Sequence, residues 1–101
     1  MKPSLPEIEQ TIAAAVAEAI RDWGVDVELE PSTRLVADVG FTSMDTIDLF
    51  ARLDVLFQRK FPYEPFITAE DGGYRSDITI GELAAFIDQS FDTPRAESPA
   101  L

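Results

Sequence analysis

The 101-residue chain contains no cysteine and no histidine, and each absence removes a class of function. Without cysteine there is no disulfide, no thiolate nucleophile and no thiolate-bound metal. Without histidine the usual general base at neutral pH is missing, and Lys2 and Lys60 are the only lysines to stand in for it. Positive charge is scarce throughout: 8 lysines and arginines against 19 aspartates and glutamates leave a net charge of −11. Such a field repels DNA, RNA and anionic membranes, which argues against nucleic-acid binding. It favours basic patches on protein partners, in a salt-sensitive way. No apolar run approaches the ~20 residues of a membrane span. The opening MKPSLPEIEQ is acidic and broken by proline, unlike a signal peptide. The expectation is a cytoplasmic protein, monomeric and without membrane insertion.

What the chain does have is apolar patterning. A hydrophobic fraction of 46% with 10% aromatic residues is enough for a packed core rather than disorder. One domain is expected over residues 1–91, and the aperiodic DTPRAESPAL of 92–101 reads as a flexible tail. Leu5, Ile8, Ile12, Ala15, Val16, Ala19, Ile20 and Trp23 recur at helical spacing. Ser4 and Glu7 form an S-x-x-E capping box at the start of this first helix, and Gly24 marks its expected stop. Residues 24–41 form a long connection. Its alternating Val25, Val27 and Leu29 are followed at once by Pro31 and have no matching partner strand, so it reads as an extended loop. Leu29, Leu35, Val36, Val39 and Phe41 are expected to turn inward from it.

The second helix is expected from Ser43 to Lys60, roughly 27 Å long. Ile47, Leu49, Phe50, Leu53, Leu56, Phe57 and Phe61 share its core arc, while Met44, Asp48, Ala51, Arg52, Val55 and Arg59 face outward. The exposed Met44 and Val55 either form part of a contact surface or are ordinary scattered surface apolars. Residues 62–77, PYEPFITAEDGGYRSD, form a loop with a short third helix expected around Thr68 to Asp71. A last helix begins near Thr79, where Thr79 and Glu82 repeat the capping box. The fold class is therefore all-α: a small three- to four-helix bundle with a long loop between helices one and two.

The stretch Gly40-Phe41-Thr42-Ser43-Met44-Asp45 opens the second helix. Thr42 and Asp45 fit a capping box, with Gly40 easing the approach. Ser43 then has two readings: an ordinary first helical residue, or a hydroxyl left outside the cap and available for attachment. A phosphate placed there meets the partial positive charge of a helix N-terminus. Asp45 and Asp38 lie close enough in sequence to assist a Mg²⁺-dependent enzyme that delivers it. Ser43 as a catalytic nucleophile lacks its base, and the stretch Glu70-Asp71-Gly72-Gly73 does not follow EF-hand spacing. No catalytic residue and no bound metal is expected.

The stretch Asp38-Val39-Gly40-Phe41-Thr42-Ser43-Met44-Asp45-Thr46-Ile47-Asp48-Leu49 resembles the D-L-G-x-D-S-L-D-x-V-E-L signature of acyl carrier proteins. The likeness continues through Leu53, Asp54, Phe57, Phe61-Pro62 and Ile78-Thr79, so it spans residues 5–91. The resemblance implies that Ser43 is esterified by 4′-phosphopantetheine from coenzyme A, through a Mg²⁺-dependent phosphopantetheinyl transferase. The arm's thiol would carry acyl or related cargo as a thioester, supplying the sulfur that the chain itself lacks. Partners would be an acyl-loading ligase or acyltransferase and synthase enzymes of fatty acid, lipid or secondary-metabolite synthesis. Asp38, Met44, Asp45, Asp48, Ala51 and Val55 would meet those partners, with helix two as the recognition helix. Thr42 departs from the family's usual aspartate, although threonine caps nearly as well. Arg52, Arg59 and Lys60 make helix two less acidic, and the 62–77 loop is longer than usual. These departures fit a specialised free-standing member. The alternative is an unmodified carrier-like module that docks proteins through helix two.

Overall fold

A computed structural model of the chain describes residues 2–69 and 71–92. The expected tail therefore lies outside the described residues, apart from Asp92. Four α-helices follow in order: α1 (Leu5–Ala19), α2 (Ser43–Phe57), α3 (Tyr63–Ile67) and α4 (Ile80–Phe91). A single π-helical turn, Leu35–Val39, lies between α1 and α2. The described residues contain no β-strand, only two isolated bridges. The fold is a small all-α bundle in which α1 packs against both α4 and α2.

Each long helix starts where its capping box predicts. Ser4, Thr42 and Thr79 each accept from the backbone N–H three residues on, and Glu7, Asp45 and Glu82 accept in return from the cap residue's N–H. The apolar stripes meet in one core. Ile8, Ile12 and Val16 of α1, Leu53 of α2, and Ile80, Leu83 and Ile87 of α4 are buried, joined by Leu35, Val39 and Phe41 from the connection. Each fully buried side chain of this size contributes about 1.5–3 kcal/mol. An aromatic layer closes one end of the core. Phe57 packs edge-on against Phe61 and Phe91, and Tyr63 stacks on Phe50 with ring centroids 4.1 Å apart.

Helix ends differ from the sequence expectation. α1 stops at Ala19, and the chain then unwinds through short turns, with Trp23 N–H donating to the Ile20 carbonyl, before Gly24 takes the left-handed conformation. α2 stops at Phe57 because Gln58 adopts the left-handed conformation at its C-cap. The third helix lies over Tyr63–Ile67 rather than from Thr68, whose extended backbone ends it. Thr68 instead pairs with Tyr74 in an antiparallel bridge, and Arg75 N–H donates to the Ile67 carbonyl at 2.7 Å. The short helix expected within residues 62–77 thus lies earlier than expected, and a single bridge between Thr68 and Tyr74 follows it.

The long connection is tied down by α4. The N–H groups of Ile80 and Gly81 donate to the carbonyls of Thr33 (3.0 Å) and Pro31 (2.8 Å), and Leu35 N–H donates to the Ile78 carbonyl. Those first N–H groups of α4 have no partner within the helix, so residues 31–35 act as its strap. Thr33 holds the strap's own turn: its buried hydroxyl donates to the Glu28 carbonyl and accepts from Glu30 N–H.

Candidate functional site

Ser43 is the first residue of α2 and is exposed. The cap beside it is complete without it. Asp45 N–H donates to Thr42 Oγ1 at 3.2 Å, while Thr42 N–H and hydroxyl donate to Asp45 Oδ2 at 2.8 and 2.9 Å. The Ser43 hydroxyl makes no hydrogen bond among the described residues. Its approach is held by Gly40, which closes the π-helical turn at φ 96°, a left-handed value that a side chain resists. Phe41 N–H then donates to the Leu35 carbonyl, and the buried Phe41 ring sets the direction in which α2 begins.

A groove of about 500 Å³ opens beside Ser43, within the range of small-molecule sites. On the α2 side it is lined by Ser43, Thr46, Ile47 and Phe50, and on the other by Ile67 and the chain from Tyr74 to Ile78. This groove explains why Ile47, expected in the core, is exposed: it faces the groove. Val36, expected to turn inward, is likewise exposed at the groove's edge. Leu56 too is half exposed rather than in the core. Asp77 fixes the groove wall to the approach of Ser43. Its carboxylate accepts from the N–H groups of Val36 (2.8 Å) and Ala37 (3.0 Å) in the π-helical turn, and from its neighbour Ile78 (2.9 Å).

The carboxylates expected near a metal are otherwise engaged. Asp38 forms an ion pair with Arg34 and accepts from its backbone N–H. That guanidinium, then the N–H bond, holds the Asp38 carboxyl below its ordinary range. Asp45 serves the cap. Among the described residues no group of three or more carboxylates is placed to hold a metal ion.

On the outer side of α2, Met44, Asp48, Ala51 and Val55 are all exposed and fall at helical spacing on one stripe. Met44 and Val55 are 67% and 75% exposed, so this stripe is an uncovered face of α2. Asp48 makes no ion pair among the described residues, whereas Arg52 is paired with Glu18 of α1. Arg59, expected on the same outer face, lies past the end of α2. Its guanidinium sits 5.5 Å from the Phe61 ring and 4.9 Å from the Phe91 ring, and donates to the Ser90 carbonyl. The outer stripe is therefore more acidic than the arginine count implies. Asp38 lies apart from it, in the π-helical turn.

The structure leaves Ser43 and the α2 stripe exposed, as expected, and adds a groove wall that no sequence pattern marked. Tyr74, Arg75 and Asp77 sit in a stretch without periodicity, where no local pattern marks a side chain as lining anything. Arg75 pairs with Glu82 and lies 5.1 Å over Phe66. By class the described residues form a small all-α bundle whose second helix begins with an exposed serine beside an apolar groove. No family model matches the chain, and no curated protein or solved structure matches it.

Proposed function

We propose that the protein is a carrier of the acyl carrier type, bearing its cargo as a thioester on a 4′-phosphopantetheine arm at Ser43. The observation that carries this reading is the Ser43 hydroxyl: exposed, without a hydrogen bond among the described residues, at the N-terminus of a 15-residue helix and on the rim of an apolar groove. Phosphate at a helix N-terminus is stabilised by the aligned backbone N–H groups. In the attachment step Ser43 Oγ forms a bond to the pantetheine-side phosphorus of coenzyme A and gives up its proton. The pyrophosphate bond breaks, and adenosine 3′,5′-bisphosphate leaves. A phosphopantetheinyl transferase and its Mg²⁺ supply this chemistry, and ligase, acyltransferase and synthase partners load and unload the thiol. On this reading Ser43 is the acceptor of the arm, and the chain catalyses none of these steps. Its part is to present Ser43 and to offer the Met44–Val55 stripe, with Asp48, to basic partner surfaces. No helix among the described residues is long and apolar enough to cross a membrane, and the proposed setting is the cytoplasm.

Incubation with coenzyme A, Mg²⁺ and a broad-specificity transferase should add one phosphopantetheinyl mass, located on Ser43 by peptide mass spectrometry. Ser43→Ala should stay unmodified while keeping the wild-type circular dichroism spectrum and melting midpoint. A wild-type chain that no transferase of its host modifies would sink the carrier reading. The exposed α2 stripe supports a second reading, a docking module that never takes the arm. On that reading Ser43→Ala retains full partner binding and function.

A further inference from the structure

Among the described residues that line the groove beside Ser43, Arg75 is the one cation. The inference rests on the carrier reading and deepens it. Arg75 is partly buried, its guanidinium lies over Phe66, and its Nη2 donates to Glu82 Oε2 at 2.9 Å. A guanidinium has five N–H donors, and among the described residues the Arg75 side chain has no other acceptor. The second charged residue of the lining, Asp77, has its oxygens engaged by three backbone N–H groups. The rest of the lining is mostly apolar, with Val36, Phe41, Ile47, Phe50, Ile67 and Ile78. The site thus combines apolar walls with guanidinium N–H donors that have no second acceptor among the described residues.

We propose that the groove takes an acyl chain bearing a neutral oxygen, a keto or hydroxyl group, and that Arg75 donates to that oxygen. A plain alkyl chain would cover those N–H groups without pairing them, a desolvation cost that apolar contact does not offset. A terminal carboxylate matches the fork of a guanidinium. However, it would add a negative charge beside Asp77 and Glu82 in a chain of net charge −11. A neutral oxygen gains the hydrogen bond without that repulsion.

The test compares Ser43 loaded with hexanoyl, β-hydroxyhexanoyl, β-ketohexanoyl and adipoyl arms. Cleavage of each thioester by hydroxylamine is measured relative to the same thioester on free pantetheine. The β-hydroxy and β-keto loads should be protected about tenfold more than hexanoyl or adipoyl, the size of one charge-assisted hydrogen bond. Arg75→Gln should bring all loads to within about twofold of one another. Because that change also removes the Glu82 pair, a second measurement uses the unaltered protein: the Arg75 Nε–H resonance should shift with the keto load and stay put with hexanoyl. With the arm shown on Ser43 by mass, equal protection of all loads, strongest protection of adipoyl, or a preference that persists in Arg75→Gln overturns the cargo assignment and leaves the carrier reading standing. A Ser43 that never takes the arm overturns both.

Discussion

Thr42 and Ser43 are adjacent hydroxyl residues with opposite dealings with α2. Thr42 exchanges three hydrogen bonds with Asp45, whereas the Ser43 oxygen makes none among the described residues. Stability and attachment should therefore separate. Thr42→Ala should cost about 1 kcal/mol, the usual loss of a helix cap, read as a lower urea midpoint. The extent of Ser43 modification should not change at temperatures where the variant stays folded. If Thr42→Ala abolishes modification without altering the melting midpoint, the threonine contacts the transferase rather than closing the helix. The box itself was legible at this scale because it is local: its partners are three residues apart and their types alone identify it. The fate of Arg59 was not. Its position on a continued helix, four residues after Val55 and seven after Arg52, implied solvent, but Gln58 breaks the helix first and turns Arg59 toward Phe61 and Phe91.

At the scale of elements, the strap of residues 31–35 explains why the long connection is ordered. It supplies carbonyls to the first two N–H groups of α4, while Asp77 supplies a carboxylate to the π-helical turn. Gly81 stands where the strap and α4 are closest. A β-carbon there would lie 3.0 Å from the Pro31 carbonyl oxygen and 3.1 Å from Pro31 Cβ. The Pro31 oxygen cannot retreat without lengthening its hydrogen bond to Gly81 N–H, at 2.8 Å. Gly81→Ala should therefore destabilise the fold by about 1–2 kcal/mol through overpacking, even though alanine is the better helix former by ~1 kcal/mol. Chemical denaturation measures the sign directly, and a stabilised Gly81→Ala would show that the strap yields freely. None of this was readable in the sequence. Pro31 and Gly81 are 50 positions apart, and backbone pairing between distant segments leaves no composition signature.

For the whole molecule, two kinds of titrating group bound the stable pH range. Glu82 and Glu7 are held below the ordinary carboxyl range chiefly by backbone N–H bonds from Thr79 and Ser4, and Asp38 chiefly by Arg34. A carboxyl with a lower pKa in the folded chain binds fewer protons there. Its contribution is present above the ordinary value of about 4 and is lost as pH falls below it. Tyr63 is the reverse case. Burial, reinforced by Asp54, raises its phenol above the ordinary value of about 10. That contribution is present below pH ~10 and is lost as pH rises further. Urea midpoints should therefore fall on both sides of a neutral plateau. Tyr63→Phe, which keeps the ring against Phe50, should reduce the alkaline fall, to which Lys2, raised by Asp88 and Asp92, also contributes, and leave the acid one. An alkaline limb unchanged in Tyr63→Phe would assign that limb to other groups.

The sequence by itself determined the helical class, the three capped helix starts and the position of Ser43 outside its cap. These depend on residues within a turn or two of each other, so periodicity and residue type suffice. It also determined the outward stripe from Met44 to Val55, because helical spacing sets that face whatever packs behind it. Only the tertiary structure decided that Ile47 looks into a groove rather than the core. Helical periodicity places a side chain on a face of its own helix, but not on what that face meets. The groove exists because the Tyr74–Ile78 segment returns beside the start of α2 and Asp77 fastens it to the π-helical turn. That encounter rests on hydrogen bonds spanning some 40 residues, and it is what brings Arg75 into the same groove as Ser43.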